Sequence, residues 1–346
     1  MSGFLSRLLV AGCLVTSTAC GVLQSRPPVP SEFWLLPPRD EIAIPASGQQ
    51  AWRGFGETPV RIFLDSVSLR PGLTRYELRR SSNAAPVTAD GKSIGTNSAI
   101  SRVAVVTSYH GDRYHPETLR ALAGDPEATA RMASALIRLR DNAPKGPLVI
   151  DFQGMTARDL PRVVEIVRAI SDSARRNVWG PIGFAVPASD TVSYPGATLA
   201  LVADLLVIRL TEEHRPGTPP GPLASPDWLS RQLALRVMRL GASRVVAELP
   251  VRGYRWDRDG TARPISFIDA RALIAADAGA FNRDEVSGFL RATSVRDGWE
   301  IWIADVTTIQ ILVARARVAG VTRFALAGVE TADPAILDYI TAPPGR

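Results

Sequence analysis

From residue 100 onward, the hydrophobic positions alternate between two patterns. Short, mostly apolar runs occupy 103–107, 148–152, 182–186, 205–210, 245–249 and 321–327. Runs of that length, rich in β-branched residues, are the signature of strands buried on both faces in a parallel sheet. Between them the apolar residues recur every three or four positions, as on one face of a helix. Leu160, Val163, Val164, Val167 and Ile170 form one such face, opened by Thr156-Ala157-Arg158-Asp159, which reads as a capping box. Ser225-Pro226 opens another helix that Gly241 closes, the usual early-proline, late-glycine asymmetry. Asp305 caps a third, running to Gly320. Counting back, 33–36 and 60–64 would be strands one and two.

Repeated strand–helix units predict an α/β chain, a (β/α)8 TIM barrel spanning residues 32–342. The first two units lack clear helices, so a doubly wound open sheet stands as the competing arrangement. A small insertion, about 257–304, separates strands seven and eight. It is expected to hold a helix beginning near Ser266 and strands around 287–292 and 299–303.

The first thirty residues follow a different logic. Arg7 precedes an apolar run at 8–15 that passes through small residues to Ala19 and Cys20, the pattern of an export signal over 1–19. The run is too short to cross a bilayer as a helix. Ser17-Thr18-Ala19-Cys20 resembles a bacterial lipoprotein cleavage box, which makes Cys20 the expected lipid anchor. Val10-Ala11-Gly12-Cys13 fits the box better but leaves almost no apolar run before it, and an ordinary cleaved signal is the third possibility. Arg26-Pro27-Pro28-Val29-Pro30 reads as a stiff spacer, so 20–31 is expected to tether the body to the membrane. The protein is then exported, lipid-anchored in the bacterial cell envelope and facing the periplasm. Cys13 and Cys20 are the only cysteines, so the body holds no disulfide.

Composition narrows the chemistry. The formal charge of +6 comes from 40 basic and 34 acidic residues spread along the chain, without the basic stripe that nucleic-acid binding requires. No glycine-rich phosphate loop precedes a helix, and no serine or cysteine nucleophile set appears. Nothing calls for a cofactor. His110, Asp112 and His115 have loose spacing and no strong third ligand motif beside them, so they are read as a hydrogen-bonded loop, and no metal is expected.

Five segments carry a specific resemblance. They are 148–153 (Leu-Val-Ile-Asp-Phe-Gln), 210–214 (Leu-Thr-Glu-Glu-His) followed by Gly221-Pro222-Leu223-Ala224 and Trp228, Leu249-Pro250 with Gly253-Tyr254-Arg255-Trp256, Trp302-Ile303-Ala304-Asp305, and Ala332-Asp333-Pro334. In order and spacing they resemble glycoside hydrolase family 18, in its spore-germination-type subgroup, over residues 100–342. The resemblance implies substrate-assisted cleavage of N-acetyl sugars, in which a glutamic acid protonates the leaving oxygen and the substrate acetamide attacks.

Against that pattern this chain is degenerate. Gln153 stands at the acid position, and an amide cannot deliver a proton. Asp151, which by the resemblance orients the acetamide, is kept. Thr211 replaces the tyrosine that contacts the acetamide oxygen, Glu212 its aspartate neighbour, Val149 the upstream acidic position and Ala327 the tryptophan floor of the subsite. Arg209 and Glu248 replace a methionine and a glycine, and they are expected to pair across the barrel interior and partly fill the cleft. The ligand-binding candidates are Asp151, Gln153, Tyr109, Glu213, His214, Tyr254 and Trp256. The expected function is therefore non-catalytic, binding N-acetyl-sugar polymers or an envelope partner. A structural or partner-binding barrel without glycan affinity is the alternative, followed by a divergent glycosidase using Glu212, Glu213 or Glu330.

Overall fold

A computed structural model describes residues 31–36, 60–70, 77–80, 103–110, 113–138, 147–177 and 179–341. The signal segment, most of the tether and both cysteines lie outside the described residues.

Eight parallel strands form the centre: β1 (Glu32–Leu36), β2 (Val60–Arg70), β3 (Val103–Thr107), β4 (Leu148–Asp151), β5 (Ile182–Pro187), β6 (Leu205–Arg209), β7 (Val245–Leu249) and β8 (Arg323–Ala327). Each pairs with its neighbour in chain order, and β1 pairs with both β8 and β2. The sheet therefore closes on itself, and the fold is a (β/α)8 barrel. This excludes the open doubly wound sheet, whose edge strands would each have one partner. β2 is longer than the sequence pattern suggests, because its second half also pairs antiparallel with Glu77–Arg80.

The β-branched runs build two separate apolar layers, since successive strand residues point to opposite faces. Trp34, Leu36, Val103, Val105, Val149, Leu205, Val207, Val246 and Ala325 form a compact cluster, placed by alternation inside the barrel. The other set, including Phe33, Leu35, Ile150, Phe184, Ile208 and Phe324, packs outward against the helices. Little room is spare inside. A Cβ on Gly183 would lie 3.1 Å from Val149 Cγ2 and 3.4 Å from Val207 Cγ2.

The helical faces fulfil the periodicity argument. Leu160–Arg176 buries Val163, Ile166, Val167 and Ile170. Its expected capping box is only half formed: Asp159 Oδ2 accepts from Thr156 N and Oγ1, each at 2.9 Å, but the helix proper starts one turn later. Pro226–Leu240 is capped by Ser225, whose side chain accepts from Trp228 N, and ends at Gly241 with φ 78°. Asp305 caps Val306–Val318 in the same way through Thr308 N.

Between β7 and β8 the insertion folds as a five-stranded antiparallel sheet with one helix. Ser266 caps that helix, Phe267–Ala276, and Leu290–Thr293 and Glu300–Ile303 are two of the strands. Gly253–Trp256, Ala262–Ile265 and Asn282–Arg283 supply the others, so the sheet begins just after Arg252. Gly253 is required there, because a Cβ would collide with the carbonyl oxygen of Trp302 on the neighbouring strand.

Candidate functional site

The carboxyl ends of barrel strands are where such folds gather their chemistry, and here they converge on Asp151 and Gln153. By alternation from Val149, both point into the barrel. Asp151 is fully buried and Gln153 is 4% exposed. Gln153 Nε2 donates to Asp151 Oδ1 at 3.0 Å and to the Ala185 carbonyl at 2.8 Å. Two acceptors on one nitrogen fix the orientation of the amide. Its Oε1 is buried and has no hydrogen-bond partner among the described residues.

A layer of polar side chains lies over this pair. The short strands Tyr109–His110 and Arg113–Tyr114 form a hairpin that sets the rings of Tyr109 and Tyr114 edge to face, 5.0 Å apart. The Tyr114 hydroxyl donates to Asp151 Oδ2 at 3.0 Å and accepts from Arg209 Nη1 at 2.9 Å. Arg209 Nη2 in turn lies 3.6 Å from Glu212 Oε1. Tyr114 and Arg209 thus cover the Asp151 carboxylate.

Above them remains a cavity of about 300 Å³, lined among others by Tyr109, Tyr114, Arg209, Thr211, Glu212, Glu248, Tyr254 and Ala327. Arg209 and Glu248 are adjacent in the β6–β7 register and both line this cavity. Glu248 is 1% exposed. Both side chains therefore face the barrel mouth rather than bulk solvent, as expected from strand alternation. Ala327 leaves the β8 side of the cavity without an aromatic floor.

Three of the expected ligand contacts are instead absorbed by the fold. Glu213 accepts from Ser225 N and, at 2.8 Å, from Ser225 Oγ, which ties the loop after β6 to a helix start, where negative charge is favoured. His214 Nδ1 lies 2.9 Å from the Pro219 carbonyl, and its ring packs so closely on Gly221 that a Cβ there would come within 2.6 Å. Trp256 is buried and donates from Nε1 to the Thr218 carbonyl at 3.0 Å. None of the three lines the cavity. Tyr109 and Tyr254 do, and Asp151 and Gln153 sit beneath it. The side chains of His110 and Glu330 lie outside the described residues, as does Asp112. His115 Nδ1 lies 2.8 Å from Glu117 Oε1.

Sequence reasoning missed Tyr114, Arg215 and Arg252. For Tyr114 a local signal existed: Gly111-Asp112 between two short runs is a hairpin cue, and the register opposes Tyr114 to Tyr109. Arg215 and Arg252 had none, because nothing local says that the loops after β6 and β7 meet.

The loop that follows Asp151 and carries Gln153 is held from below. Met155 N donates to the hydroxyl of Tyr194 at 3.2 Å, and burial pushes that phenol up to about 12. Arg236 donates to the carbonyls of Tyr194, Pro187 and Asp190 at 2.6, 2.7 and 3.0 Å. Burial lowers its pKa to about 10, so it remains a cation at neutral pH.

These features define a (β/α)8 barrel whose strand-end cavity is lined by charged, aromatic and apolar side chains. No protein-family model matches the chain. Its sequence is similar to the uncharacterized glycosylase YvbX of Bacillus subtilis (strain 168), with 24% identity over 240 residues, 64% of this chain and 70% of that protein. In structure it is similar to the spore cortex-lytic enzyme SleL of Bacillus megaterium QM B1551, with a TM-score of 0.70 at 15% identity, covering 90% of this chain and 73% of that one. It is also similar to the chitinase-like agglutinin of Robinia pseudoacacia, with a TM-score of 0.66 at 16% identity, covering 90% of this chain and 97% of the other.

Proposed function

We propose that this chain is a non-hydrolysing, glycan-binding barrel of the bacterial cell envelope, anchored through Cys20 and recognising N-acetyl-sugar polymers in its strand-end cavity. The observation that carries the reading is Gln153. It stands where the resemblance expects a proton donor, and its amide is committed as a donor to Asp151 and Ala185. Such a group holds geometry and cannot protonate a glycosidic oxygen. The relatives in fold bear names of both kinds, a cortex-lytic enzyme and an agglutinin, so hydrolysis and recognition both have precedent on this scaffold. The half-buried tyrosines Tyr109 and Tyr254 at the cavity wall offer ring faces on which a sugar can stack.

A second reading has its own support. Tyr114 and Arg209 cover Asp151, as expected of a barrel kept for structure or for a protein partner.

A paired assay separates the readings. Full-length protein, wild type and Gln153→Glu, is tested for hydrolysis of N-acetylglucosamine oligomers and for binding them by calorimetry. Binding without hydrolysis by the wild type supports the proposal. Absence of binding favours the structural reading, and hydrolysis by the wild type refutes a non-catalytic role.

A further inference from the structure

The cavity is unusually rich in charge for a site that would hold only neutral sugar. Its lining includes Arg209, Arg215 and Arg252 together with Glu212 and Glu248. The charges are not evenly placed. Glu212 lies within ion-pair distance of Arg209, at 3.6 Å, and Glu248 is its cross-strand neighbour. Both carboxylates therefore sit beside Arg209 near the floor, where the guanidinium also donates to Tyr114. Arg215 and Arg252 stand higher, on the loops that leave β6 and β7. The exposed Arg215 guanidinium makes no ion pair with a carboxylate among the described residues.

The backbone that presents Arg215 is held in place. Its N–H donates to Thr218 Oγ1 at 2.9 Å, and its carbonyl accepts from Thr218 N at 3.0 Å. Trp256 of the inserted sheet donates to the Thr218 carbonyl at 3.0 Å. The loop is thus fastened to the insertion before any ligand arrives, which lowers the ordering cost of binding.

We propose that the cavity takes a carboxylated sugar, its carboxylate read at the mouth by Arg215 and Arg252 and its ring set against Tyr109 or Tyr254. The proposal rests on the glycan-binding reading and adds the charge of the ligand to it. A guanidinium presents a planar fork of donors that matches a carboxylate, and such charge-assisted bonds are the strong ones. A neutral oligosaccharide would leave the exposed Arg215 cation at the rim of the site without a counter-charge.

The test is calorimetry on the full-length protein with three probes. These are tri-N-acetylglucosamine, which is neutral; trigalacturonate, which has carboxylates and no acetamide; and the disaccharide of N-acetylglucosamine and N-acetylmuramic acid, which has both. At least one carboxylated probe is expected to bind about tenfold or more tightly than the neutral one, the scale of one hydrogen bond to a charged group. The Arg215→Gln/Arg252→Gln double variant, its fold checked by circular dichroism, should bring that probe down to the neutral level. Added salt should weaken the carboxylated probes selectively. Tighter binding of the neutral probe, or a preference that survives the double variant, overturns this inference and leaves the glycan-binding reading standing. Failure of all three probes to bind overturns both.

Discussion

Replacing Gln153 by glutamate is a test of the buried polar pair as well as of activity. In the wild type one amide nitrogen serves two buried acceptors, Asp151 Oδ1 at 3.0 Å and the Ala185 carbonyl at 2.8 Å. An ionised carboxyl at 153 would offer neither donor and would place a second negative charge beside Asp151. Each buried acceptor left without a donor costs about 1–3 kcal/mol. Burial and the neighbouring charge both raise the new carboxyl's pKa. Once protonated, it can donate one bond to Asp151 and recover part of the loss. The expected destabilisation is about 2–4 kcal/mol at pH 8. With each kcal/mol worth about 2 °C in a domain of this size, the melting temperature should fall by about 4–8 °C. A carboxyl whose folded pKa is raised contributes stability that disappears as pH rises through that pKa. The deficit should therefore shrink as pH falls from 8 to 5.5. Calorimetric melts of both proteins at the two values check this. Equal stability at pH 8, or a deficit that grows on acidification, would refute the locked-amide geometry.

Two further outcomes follow from the core and from the inserted sheet. Trp34 is fully buried in the barrel interior beside Leu36 and Val105, so Trp34→Ala should cost about 3–5 kcal/mol, measured by denaturant unfolding. Burial raises the pKa of Asp305, but the Arg283 guanidinium (2.6 and 3.0 Å) and the amide and hydroxyl of Thr308 outweigh this and hold it below its ordinary value. The unfolded chain then takes up the proton first as pH falls. The stabilisation is complete above about pH 5 and is lost progressively below about pH 4. The gap in melting temperature between wild type and Asp305→Asn should accordingly be larger at pH 6 than at pH 3.

Much of the frame is legible before any coordinates, because it is encoded over short distances. The β-branched runs at 103–107 and 205–210, the apolar face of the helix over 160–176, and the caps at Ser225, Ser266 and Asp305 each depend on residues within one or two turns of each other. The same locality explains the misses. Ala262-Arg263-Pro264-Ile265 has no clear period and a proline, yet it is a strand, because the hairpin with Gly253–Trp256 imposes that state. Glu213, His214 and Trp256 read as ligand contacts while seen in isolation. In the fold Ser225, Pro219 and Thr218 take up their polar atoms.

By itself, the sequence determined the alternation of strands and helices, the insertion before the last strand and the amide at position 153. Each is a matter of residue type and local period, and none of the three changes when distant parts of the chain come together. Tertiary structure alone decided that Tyr114 bridges Asp151 and Arg209, the latter 95 residues away along the chain. It alone brought Arg215 and Arg252 to one cavity. Strand order and the closure of β1 on β8 set those meetings, and no window of sequence contains both partners.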